Sequence, residues 1–218
     1  MTANHKSLKQ RQRDERHSHG EGLALRVHRA LSWLDRAEQC GDDDGQFVFL
    51  WIAFNAAYAR EFDEERPRES ERHSDFLKTM VDLDKQNQLA NIVWQHYSGA
   101  IRVLLDNRYV YQPFWNHQNG IPGYKDWEER FGRAKAAANH RLASKDTAVV
   151  LSIVFDRLYT LRNQIIHGGA TWNSSVNRQQ LRDATRLLAD IVPVIIEVMM
   201  DNVDRDWGEA CYPVRGLR

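Results

Sequence analysis

The string "LRNQIIHGG", Leu161 to Gly169, places Arg162, Asn163 and His167 in the last turns of an apolar-patterned segment that stops on two glycines. Histidine titrates near neutral pH and moves protons well, while the planar fork of arginine holds charge on a phosphate. Such a pair suits cleavage of RNA by its own 2′-hydroxyl. The histidine would shuttle the proton, the arginine would stabilise charge building on phosphorus, and no metal would be required. Asn163 can orient either group, or the phosphate, by hydrogen bonding. The plainer assignment for Arg162 and His167 is a pair of cations answering the macrodipole at a helix C-terminus.

Five residues along a helix is a rotation of about 140°, so Arg162 and His167 do not share a face of a regular helix. Two arrangements can bring them together. Gly168 and Gly169 can supply the left-handed stop that leaves His167 in a frayed last turn, or a second copy of the chain can bring two such ends together across a twofold axis. The spacing alone is not selective. About one Arg-x4-His pair is expected by chance in a chain of this composition, and Arg68 and His73 in "RESERH" supply a second. That copy falls in "DEERPRESERHS", a charged, proline-containing stretch that reads as a linker. Arg162 and His167 instead sit in an apolar-striped helix, followed by a glycine stop and another long helix.

The elements that would position these residues are helical throughout. Leu23, Val27, Leu31 and Leu34 recur at helical spacing, and "CGDDDG" (40–45) ends that segment. "QFVFLWIAFNAAYAREF" (46–62) is apolar on more than one face and must be central to the core. Residues 76–105 read as one or two further helices. "YVYQPFWNHQNGIPGYKDW" (109–127) reads as a loop packed by its own side chains, with Phe114, Trp115 and Trp127 forming an aromatic plug or, alternatively, a base-stacking surface. A helix from Trp127 to about Leu142 follows. Two long amphipathic helices close the chain, one striped by Val150, Val154, Leu158, Leu161 and Ile165, the other by Leu181, Leu188, Ile191, Ile195 and Val198. Pro193 should kink or divide the last of these. The class is all-α, a helical bundle with an inserted helical and loop region in the middle of the chain.

Composition narrows the function classes. Lysine plus arginine and aspartate plus glutamate each number 30, so an anionic partner must be met by a local patch. Cys40 and Cys211 are far apart with no CxxC partner, which fits a reducing compartment and offers neither a disulfide framework nor a zinc site. No apolar run reaches the roughly 20 residues of a bilayer span, and the polar N-terminus has no apolar signal core, so a soluble, cytoplasmic protein with no membrane partner is expected. Residues 1–20 are basic and poor in large apolar side chains, and read as a mobile tail. Lys6, Lys9, Arg11, Arg13 and Arg16 would be its phosphate contacts if it touches RNA. His17 and His19 lack a third ligand nearby. No glycine-rich phosphate loop, GxSxG elbow or HExxH pair is present, and neither cofactor nor metal is expected. The expected organisation is a tail (1–20), one helical domain (21–205) and a C-terminal tail (206–218).

"LYTLRNQIIHGG" before a long amphipathic helix, taken with the upstream "FLWIAFNAAYARE", resembles the HEPN family, the higher eukaryote and prokaryote nucleotide-binding domains. The defining motif of that family is an arginine, a polar residue such as asparagine beside it, and a histidine after four to six positions; Arg162, Asn163 and His167 match it. The resemblance implies an all-helical bundle that dimerises and a metal-independent endoribonuclease site built from the arginine and histidine of both protomers. It also implies a setting in toxin–antitoxin or antiphage systems, with an antitoxin or nucleotidyltransferase as partner. Some members only bind nucleotides, RNA or proteins. A toxin branch carries a tyrosine two residues after the histidine, the target of nucleotidyl transfer, where this chain has Gly169. The resemblance covers about 20–60 and 145–203 and leaves the middle, about 65–143, without a counterpart.

Overall fold

A computed structural model describes residues 4–59, 69–175, 177–210 and 212, with 69–72 described by backbone alone. Its described residues form ten α-helices with two 3-10 turns and one π-helical turn. The class is all-α, a helical bundle.

The core is built around α3 (Asp43–Tyr58), whose Phe47, Leu50, Trp51, Ala53, Phe54 and Ala57 are all buried. A helix apolar on several faces needs neighbours on each of them. It packs against α2 (Glu21–Glu38) and α10 (Arg178–Asp201) and also touches α9 (Thr147–Ile166). Asp42 caps α3, its carboxylate accepting the Gly45 amide at 2.8 Å, and Asp146 caps α9 by accepting the Val149 amide at 3.2 Å. Each cap supplies a partner to an amide with no intrahelical acceptor.

Several regions depart from the sequence-based expectation. The basic N-terminus is not a mobile tail over its described residues. Residues His5–Glu15 form α1, opened by an Asn4–Ser7 capping box, with Leu8 buried in the main core. Arg11 reaches Asp201 at 2.7 Å, and the backbone amide of His5 donates to Glu38 at 2.8 Å. One apolar anchor, worth about 2 kcal/mol, together with cross-helix polar contacts holds a segment whose composition looks disordered. Trp207 and Ala210 are likewise buried, so the region after 205 is packed at least to Ala210; Cys211 and residues 213–218 lie outside the described residues.

The third departure concerns the charged stretch 63–74. Helix α4 (Glu69–Leu83) begins inside it, and only residues 60–68, Arg68 among them, lie outside the described residues. The fourth is the middle of the chain. Leu77 and Met80 of α4, Leu89 of α5 (Gln88–Asn91), Val93, and Ile101 and Leu105 of α6 (Ser98–Asp106) belong to the same core as α2, α3, α9 and α10. That part is integral to the bundle and not an insert laid upon it. Between α5 and α6 the backbone makes a π turn (Ile92–His96), closed by the Tyr97 amide on the Ile92 carbonyl at 3.1 Å.

Residues 109–127 are not one loop, since they hold the end of a 3-10 turn (Arg108–Val110) and helix α7 (Gln112–Gln118), started by a proline in its first turn. Phe114 and Trp127 are buried edge to face with centroids 5.0 Å apart, as an aromatic plug requires. Helix α8 (Trp127–Ala143) then returns along α9. Helix α10 runs as one element through Pro193 instead of dividing there; burial of residues 191–196 on every side compensates for the hydrogen bond that proline forfeits.

Candidate functional site

Helix α9 delivers the three candidate residues. Val150, Val154, Leu158 and Leu161 bury its stripe, and this packing carries the regular helix as far as Ile166. The end is a Schellman motif: the Gly168 amide donates to the Ile165 carbonyl at 3.1 Å and the Gly169 amide to the Gln164 carbonyl at 2.7 Å. Gly168 has φ +71°, a conformation that a side chain disfavours. A Cβ on Gly169 would stand 3.2 Å from the Gln164 carbonyl oxygen. The His167 amide completes the set on the Asn163 carbonyl at 3.0 Å.

The helix end is capped by its own backbone. The carbonyls of Asn163, Gln164 and Ile165 are all taken by backbone amides, so they do not require Arg162 or His167 as caps. Arg162 is half-buried. It donates to Asn163 Oδ1 at 2.9 Å, and its guanidinium lies 5.7 Å from the Tyr159 ring centroid. Its Nε is buried without a partner, and among the described residues it forms no ion pair with a carboxylate. The arginine is therefore oriented by Asn163 and Tyr159, but its charge is not neutralised.

His167 is exposed at the C-cap with φ −90° and ψ 12°, and no side-chain hydrogen bond ties its ring to Arg162. Because α9 stays regular to Ile166, the two residues remain about 140° apart around the axis and the chain by itself does not bring them together. Asn163 does stand with Arg162. Ile166, before His167 in sequence, is exposed, and Trp172 in the following loop is 74% exposed, its indole donating to Asp42 at 3.4 Å.

The second Arg-x4-His copy has a different fate. His73 on α4 is 0% exposed, packed near Tyr58 and Phe155, with Nε2 3.1 Å from Asp156 Oδ1. Its ring is part of the α4–α9 contact. Sequence reasoning missed Asp156 as its partner, because a pairing across 83 residues leaves no local signal. It also missed Tyr159, whose ring lies 5.7 Å from the Arg162 guanidinium.

No family model, curated protein or solved structure matches this chain. Among the described residues no helix is long and apolar enough to cross a membrane.

Proposed function

We propose that this protein is a metal-independent endoribonuclease of HEPN type, with a site completed by two copies of the chain. The observation that carries the reading is the state of Arg162, oriented by Asn163 and Tyr159 yet unpaired by any carboxylate among the described residues, near the end of a helix whose C-cap, His167, is exposed. A charge left uncompensated in this way is suited to meet a phosphate.

In the proposed reaction His167 takes the proton from a ribose 2′-hydroxyl, or gives one to the departing 5′-oxygen. The 2′-oxygen bonds to phosphorus as the P–O5′ bond breaks, leaving a 2′,3′-cyclic phosphate and a 5′-hydroxyl. Arg162 holds the negative charge that gathers on the non-bridging oxygens. The divergence of Arg162 and His167 on α9 supports a homodimer as the arrangement that would complete the site. A twofold axis near the helix ends would set one protomer's His167 against its partner's arginine, and exposed Ile166 and Trp172 offer apolar surface to such an interface. A toxin–antitoxin or antiphage setting accords with this activity; Gly169 argues against control by tyrosine modification at that position.

The test is purified protein incubated with RNA in EDTA, beside His167→Ala and Arg162→Lys, with end-group analysis and light scattering. Cyclic phosphate ends, a dimer and two inactive variants are expected. A strictly monomeric protein, or a 2′-deoxy substitution at the cut site that leaves cleavage unslowed, would sink the mechanism. RNA left intact by dimeric wild type, but bound in an Arg162-dependent way, would make the protein a non-catalytic binding module.

A further inference from the structure

Arg157, one and a half turns before Arg162 on α9, is 5% exposed. Its guanidinium lies 4.4 Å over the ring of Tyr111 and 5.7 Å from that of Phe131 on α8. Nε is buried without a partner, and no carboxylate or carbonyl accepts from either terminal nitrogen among the described residues. The neighbouring carboxylate, Asp156, is engaged with His73. Burial pushes the guanidinium below its ordinary pKa. Cation–π contact offsets part of the cost of burying this charge; Nε is buried without a partner, whereas the terminal nitrogens are not fully buried and can be met by solvent or by an anion.

The surroundings suggest the anion. Gln164 lies two turns further along α9 on nearly the same face as Arg157, and donates to the Tyr109 carbonyl at 2.5 Å. Tyr109, 40% exposed, therefore lies beside the last turns of the helix, with Arg108 5.2 Å over its ring. His167 stands about 15 Å along the axis from Arg157 and about 80° around it, closer in azimuth to Arg157 than to its own Arg162. Arg130 and Arg133 add positive charge near Tyr111, although they are already paired with Asp126 and Glu129. Arg157–Tyr111 and Arg108–Tyr109 are thus two cation–aromatic pairs beside α9.

We propose that Arg157, sleeved by Tyr111 and Phe131, is a phosphate subsite that holds the backbone of single-stranded RNA a few nucleotides from the bond cut at His167. This rests on the ribonuclease reading for its ligand, but not for the anion site itself. Arg157 is a positioning residue: it acts on affinity and register, not on the reacting atoms.

The experiment uses the full chain and a short 2′-O-methylated RNA, which cannot be cleaved by 2′-hydroxyl attack. Binding is followed by fluorescence anisotropy across a salt series for wild type, Arg157→Met and Arg157→Lys. The methionine variant should bind about tenfold more weakly on every RNA sequence, and its log–log salt slope should be shallower by about 0.7, the value of one single-strand phosphate contact. The lysine variant should keep the slope and lose part of the affinity. In wild type the Arg157 Nε–H resonance should shift on titration with the RNA, a readout that survives even if Arg157→Met fails to fold.

An unchanged affinity and slope in folded Arg157→Met, or an unmoved Arg157 resonance, overturns the subsite. Inorganic phosphate shifting the resonance at lower concentration than the RNA overturns its assignment to RNA. The two proposals fail separately. Wild type that cleaves nothing while its Arg157 resonance shifts with RNA sinks the ribonuclease reading and keeps the subsite, whereas normal cleavage with unaltered Arg157→Met binding does the reverse.

Discussion

Two histidines of this chain follow an arginine by five residues, and the fold treats them in opposite ways. His73 is sealed between α4 and α9 against aromatic rings, its Nε2 on Asp156. His167 stands exposed where α9 stops, with no side-chain hydrogen bond among the described residues. One is held by packing on all sides and the other only by its backbone. The difference shows that spacing selects candidates, while accessibility and unpaired charge decide which of them can meet a substrate. A buried, partnered histidine stabilises an interface; an exposed one is open to a group that arrives from outside.

The comparison can be broken most directly at His167. Replacing it with alanine should lower the cleavage rate by about 10²–10⁴, with the melting temperature moving by no more than about 1 °C, since the side chain is exposed. Rate and melting temperature measured on one preparation decide the matter, and a large loss of stability would mean that His167 is structural after all.

His73→Ala should do the opposite. Removing a fully buried ring leaves a cavity between α4 and α9, with an expected loss of about 2–4 kcal/mol in denaturant unfolding and a melting temperature roughly 4–12 °C lower. The cleavage rate per folded molecule should remain that of wild type. If it falls with the stability intact, the two histidines are not the contrasting pair described above.

A smaller effect is expected at Gly168. An alanine there must adopt φ +71°, at a cost of about 1 kcal/mol. Because this residue sets the helix end carrying His167, the rate should fall several-fold as well. Chemical denaturation together with kinetics tests both parts, and an unaffected rate would show that the cap does not place the histidine.

The smallest effect belongs to Asp156→Asn. Its side chain is 51% exposed and keeps a hydrogen-bonding oxygen near His73 after the change, so the expected loss is below about 1 kcal/mol. A loss as large as that of His73→Ala would mean that the carboxylate charge, and not the packing of the ring, holds the α4–α9 contact.

Much of the architecture was legible along the chain because α2, α3, α9 and α10 bury contiguous stripes that recur at helical period. The glycine stop was legible for the same kind of local reason: Gly168 occupies a left-handed position that glycine favours. Of the two readings that composition offered for Phe114, Trp115 and Trp127, burial of Phe114 and Trp127 fits the plug, while Trp115 is only partly buried. Other parts escaped because their cause is remote. Helix α1 has one buried leucine and depends on Asp201 and Glu38, residues far along the chain. The helical start of α4 is hidden by charged residues, and α7 by a proline that serves as a helix opener.

By itself the sequence determined the helical class and the candidacy of Arg162, Asn163 and His167, because helix periodicity, glycine stops and side-chain chemistry are properties of short segments. Only the tertiary structure decided which of the two Arg-x4-His copies stays open, that Arg162 stands beside Asn163 and Tyr159 with no carboxylate partner among the described residues, and that Arg157 is sleeved by Tyr111 and Phe131. Burial and pairing depend on residues brought together from distant parts of the chain, and no local pattern encodes which distant side chain will arrive.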